Sequence, residues 1–67
     1  MKDKFKLEEA WRLAIQREQE AKDFYQEMSD MVDDSAIKSL MAFLIKQEEN
    51  HKRLLENEYE KIFMAEN

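Results

Sequence analysis

Apolar residues recur along this chain in alternating steps of four and three. In the first half, Leu7, Trp11, Ala14, Ala21, Tyr25, Met28 and Val32 share this run with Glu18. In the second half, Ile37, Met41, Leu44, Leu55 and Ile62 share it with Glu48, His51 and Glu58. A strict 3.5-residue period keeps one stripe on one face of an α-helix, and it is the seam of a coiled-coil-like bundle. Ala10, Leu13, Ile15, Phe24 and Met31 widen the first stripe; Leu40, Phe43, Leu54, Tyr59 and Phe63 widen the second. The pattern predicts two helices, about 5–32 and about 35–65, each on the order of 40 Å long at ~1.5 Å rise per residue.

Val32-Asp33-Asp34-Ser35 is the break, with a turn expected at about 33–35. Its Asp and Ser residues are N-cap types, as is Asp3 before the first helix. So short a connection folds the second helix back antiparallel to the first. The 67 residues make a single domain, 1–67, and contain no Gly, Pro or Cys. The fold class is therefore all-α, an antiparallel two-helix hairpin. A chain this size buries only about 60% of the surface it exposes when unfolded, and without Cys it has no disulfide to compensate. One hairpin cannot cover both stripes, so a homodimer or higher homo-oligomer is expected, with two hairpins forming a four-helix bundle.

The charge narrows the partners. Eleven basic against sixteen acidic residues leave −5, which disfavours nucleic acid and anionic membrane surfaces. No apolar run reaches the ~18 residues of a membrane span, and no signal-peptide core follows the basic start. The expected location is the cytoplasm.

Three polar residues interrupt the stripes in a chemically coherent way: Glu18, Glu48 and His51. Glu48 and His51 are three apart and share a helix face. Glu18 precedes the turn by about as many residues as Glu48 follows it, so a hairpin sets them level. Charges in an apolar seam are costly unless something neutralises them. Two carboxylates and a neutral imidazole per chain match one divalent ion, and a dimer would then hold two. Ligation rich in oxygen with one imidazole suits iron or manganese better than structural zinc. Taken singly, each of these residues is better read as a wet seam position or a hydrogen-bonded imidazole; it is the level trio that points to metal. Tyr25, two turns past Glu18, is either a hydrogen-bonding neighbour of a ligand or core with a wet tip. Trp11 reads as packing or interface, Glu58 as a solvated seam position, and Glu20 and Glu49 as a solvated face that could guide cations.

The run Ala14-Ile15-Gln16-Arg17-Glu18-Gln19-Glu20-Ala21-Lys22-Asp23-Phe24-Tyr25 resembles the A-x3-E-x2-A-x2-F/Y-Y signature of the rubrerythrin-type branch of the ferritin-like superfamily. The run from Phe43 to His51 resembles that family's E-x2-H ligand helix. The resemblance implies a ferritin-like four-helix bundle built from two hairpins. It also implies a di-iron centre in which Glu48 bridges the ions and Glu18 and His51 are terminal ligands. Tyr25 falls on the family's tyrosine. The implied activity is oxidation of Fe(II) with O₂ or peroxide, at two iron ions per dimer, with manganese or zinc as other occupants. Full-length rubrerythrins carry two hairpins and a Cys-rich electron-relay domain. This chain has one hairpin and no Cys, and is similar to the encapsulated ferritins, whose site is shared between subunits. That likeness implies an electron-donor protein or a surrounding protein shell as further partners. The rival expectations are a metal-binding or iron-storage accessory protein without turnover, and a structural dimerisation module.

Overall fold

The computed structural model describes residues 4–64 of the chain. It contains two helices, α1 (Lys4–Asp30) and α2 (Ser35–Phe63), and no strand among the described residues. The first helix ends two residues before its apolar stripe does. Residues 31–34 make the connection, and Ser35 already belongs to α2. Asp3, the candidate cap of α1, and residue 65, the expected end of α2, lie outside the described residues.

The connection works without a left-handed residue, since no described residue has positive φ. Met31 N–H donates to the Met28 carbonyl at 3.1 Å, which tightens the last turn of α1, and Lys38 Nζ donates to the Ser29 carbonyl at 2.6 Å. These bonds satisfy carbonyls that a helix end otherwise leaves open. Of the candidate caps, Asp34 is the one used: its side chain accepts from Ile37 N–H at 2.9 Å.

The two helices pack side by side into a rod of 50 × 19 × 14 Å. The open end, away from the turn, is clamped. Trp11 Nε1 donates to the Leu55 carbonyl at 2.9 Å, and its ring meets Phe63 edge-on at 5.8 Å between centroids. Tyr59 donates its hydroxyl proton to Glu8 at 2.6 Å and accepts from Arg12 Nε at 2.9 Å.

The contact between the helices is turned from the stripe read off the sequence. The half-buried run is Trp11, Ile15, Glu18, Lys22, Tyr25 and Ser29 on α1, continued by Val32 in the connection. On α2 it is Met41, Ile45, Glu48, Lys52, Leu55, Tyr59 and Phe63, with Met41 buried. A second run lies about a quarter turn away: Leu7, Ala10, Ala14, Arg17, Ala21, Phe24 and Met28 on α1, continued by Met31 in the connection, and Ile37, Leu40, Leu44, Gln47, His51, Leu54 and Glu58 on α2. Its large apolar members are exposed, Leu44 excepted. The rotation has the same sense along two antiparallel helices, so both runs reach the same side of the hairpin. The stripe expected from the sequence is the bisector of these two runs, shared between the neighbouring helix and an open face.

Candidate metal centre

Glu18 comes from the middle of α1, and Glu48 and His51 from the middle of α2. One ligand atom from each of the three lies within 4.8 Å of the others. His51 Nδ1 is 3.5 Å from Glu18 Oε1 and 3.7 Å from Glu48 Oε1. A cation about 2.1 Å from each donor spaces its ligands by roughly 3–3.5 Å, so small side-chain adjustments would close the trio on one ion. The carboxylate side chains are half-buried, 25% exposed for Glu18 and 16% for Glu48, whereas His51 is 54% exposed. The imidazole thus belongs to the open-face run and reaches back to carboxylates held between the helices.

The electrostatics favour an added cation. A hydrogen bond shared with Glu18, followed by burial and the Glu18 charge, pushes the Glu48 carboxyl above its ordinary value, and His51 opposes this only in part. Among the described residues, no lysine or arginine lies within ion-pair distance of Glu18 or Glu48; their recorded partner is His51. Two carboxylates and an imidazole nitrogen are a donor set for a hard or borderline divalent ion. The residues present therefore fit a metal. The hairpin encloses no cavity among the described residues, and the trio lies along the junction of the two helices, open to solvent on the His51 side.

A family model described as Rubrerythrin matches residues 1–59. The chain belongs to the rubrerythrin family. No match was found among curated proteins or among solved structures. Membership in the rubrerythrin family suggests ferritin-like, iron-binding chemistry, and the carboxylate–imidazole group is where the fold could provide it. No helix of the described residues is long and apolar enough to cross a membrane.

The other singled-out residues fall elsewhere. Tyr25 is half-buried with its ring tilted against Phe24 at 6.1 Å; among the described residues its hydroxyl makes no hydrogen bond to the trio. Glu58 pairs with Lys61 at 3.4 Å. Glu20 is exposed and accepts from Gln16. Glu49 is not on a free solvated face: it pairs across the hairpin with Lys22 at 3.2 Å, and this pairing lowers its pKa.

Reading the stripes missed the lysines. Glu18-Gln19-Glu20-Ala21-Lys22 and Glu48-Glu49-Asn50-His51-Lys52 share one order: Glu, then Gln or Glu, then Lys at the fifth place. Each lysine crosses to the second residue of the other run. Lys22 meets Glu49, and Lys52 Nζ donates to Gln19 Oε1 at 2.6 Å. Gln19 in turn donates to Asp23 at 2.9 Å, which fixes its carbonyl toward Lys52. The repeated order was the available signal.

Proposed function

We propose that two hairpins pair through their open faces into a four-helix bundle, and that Glu18, Glu48 and His51 of each chain hold one of two iron ions in its core. The protein oxidises Fe(II) with O₂ or peroxide. The carrying observation is the convergence of the three donors within 4.8 Å, without a lysine or arginine on the carboxylates among the described residues. Bound iron supplies the electron transfer. The chain's own residues would position and neutralise it: the two carboxylates would offset the ionic charge, the one at Glu48 in competition with the protons its neighbour makes it favour, and His51 would present a nitrogen from the open side.

Three features support the pairing. The open face is lined by Leu7, Phe24, Met28, Met31, Ile37, Leu40 and Leu54, all exposed in the single hairpin. The hairpin exposes 5287 Å², against roughly 4,500 Å² for a compact monomer of its mass. The excess is close to the ~800 Å² per partner that a standard interface buries. Finally, the middle residues of the 27- and 29-residue helices are Arg17 and Glu49, at the level of the trio. Any two-fold that overlaps the rods along their full length therefore brings two sites to one height.

Anaerobic loading with Fe(II) followed by O₂ tests the reading. Two iron ions per dimer and O₂ consumption are expected, and Glu48→Ala should abolish both. A Glu48→Ala chain that oxidises Fe(II) at the parent's rate overturns the assignment. A parent that binds iron but consumes neither O₂ nor added peroxide is an iron-holding protein instead.

A further inference from the structure

The two crossed lysines pose a question that the ligand trio does not answer. Lys22 follows Glu18 by four residues, and Lys52 follows Glu48 by four. Glu followed by Lys at this spacing is the favoured helical ion pair. Both lysines lie on the inner run between the helices, half-buried, one turn from the site carboxylates. The local geometry thus invites Lys22 onto Glu18 and Lys52 onto Glu48, which would set two ammonium groups on the site carboxylates and leave them with little affinity for a further cation. Neither pair forms among the described residues. Lys22 Nζ lies 3.2 Å from Glu49, with the two side chains 34% and 37% exposed, and Lys52 Nζ lies 2.6 Å from Gln19 and 4.0 Å from Glu56.

Resting on the metal reading above, we infer that Glu49 and Gln19 are positioning residues that draw Lys22 and Lys52 away from Glu18 and Glu48 and so keep the site open to a cation. They touch no ligand of the proposed ion; they act through the lysines. The arrangement is reciprocal, since each helix supplies one ligand carboxylate, one lysine and the acceptor for the other helix's lysine. It is also unequal. Glu49 neutralises Lys22, whereas Gln19 only accepts a hydrogen bond from Lys52 and leaves part of its charge to the more distant Glu56. Loss of Glu49 both frees Lys22 to turn toward Glu18 and leaves a positive charge near a divalent ion, and both effects weaken cation binding.

Calorimetric titration of the purified protein with Zn(II), a redox-inert probe, tests this without recourse to turnover. Glu49→Ala should bind Zn(II) about threefold to tenfold more weakly than the parent, the range expected from releasing one partly exposed ion pair beside a charged site. Glu49→Ala combined with Lys22→Ala should return to parental affinity or exceed it, and thermal melts show whether each variant is folded. Restoration in the double variant separates release of the lysine from damage to the helix. Glu49→Ala binding as tightly as the parent, or weakened binding that Lys22→Ala does not restore, overturns this inference alone. A parent chain that binds no Zn(II), Co(II) or Fe(II) overturns the metal reading and this inference with it.

Discussion

Glu48 is the residue on which acidity and the proposed metal binding meet. Its carboxyl is held above the ordinary glutamate value chiefly by the hydrogen bond it shares with Glu18, then by burial. A folded-state pKa above the unfolded one means that the group favours folding while protonated. The contribution is complete below the unfolded value and is lost as pH rises through the folded value. In chelator, the parent should therefore lose thermal stability relative to Glu48→Gln as pH climbs from the ordinary glutamate range toward neutrality, with melting temperatures across pH as the check. With Zn(II) present, the dependence reverses. Acidification should weaken binding from a higher pH than an ordinary carboxylate would allow, because the ion competes with the Glu48 proton. A parent and a Glu48→Gln chain with the same pH dependence in chelator would remove this account. The Glu18–Glu48–His51 trio was legible in the sequence because equal distance from the turn sets residues level in any hairpin. The diversion of Lys22 to Glu49 was not, because an i,i+4 partner and a cross-helix partner compete at similar distances and only the helix rotation decides between them.

At the scale of the element, the hairpin depends on its two ends. Asp34 caps α2 and the Trp11–Tyr59–Phe63 cluster clamps the opposite end. Asp34→Ala should cost about 1 kcal/mol in chemical denaturation, the usual loss for an N-cap acceptor. Trp11→Phe keeps a ring near Phe63 but removes the donor to the Leu55 carbonyl, and should cost on the order of 1 kcal/mol. Neither change touches Glu18, Glu48 or His51, so if these residues hold iron as proposed, the iron content of the folded fraction should match the parent's. The caps at the connection were readable from residue type, since Asp33, Asp34 and Ser35 are all acceptors. Which of them caps follows from α2 beginning at Ser35, which puts Asp34 at the N-cap, its side chain accepting from Ile37 N–H.

For the whole molecule, the division between a polar and an apolar side governs behaviour. The polar side carries Arg12, Gln19, Gln26, Glu49 and Glu56, while the other carries the unpartnered run through Phe24 and Leu54. In a single hairpin, Leu40 is 52% exposed, so Leu40→Glu should cost the isolated chain little. In a bundle of two hairpins, it would place a charge against apolar neighbours. Light scattering should report about twice the 8.2 kDa chain mass for the parent and a shift toward single-chain mass for Leu40→Glu, accompanied by loss of bound iron. A Leu40→Glu chain that retains the parent's mass and iron would rule out this face as the interface.

The order of residues alone determined that two helices form, where they break, and that two acids and an imidazole meet at mid-height. Each of these follows from spacing along one chain. Only the tertiary structure decided how each apolar stripe divides between a neighbouring helix and an open side, that His51 belongs to that open side, and that the lysines turn from the nearby acids to partners across the hairpin. A period fixes the direction of a stripe around its own helix. It carries no information about the angle at which a second helix arrives, and that angle selects which side chains meet.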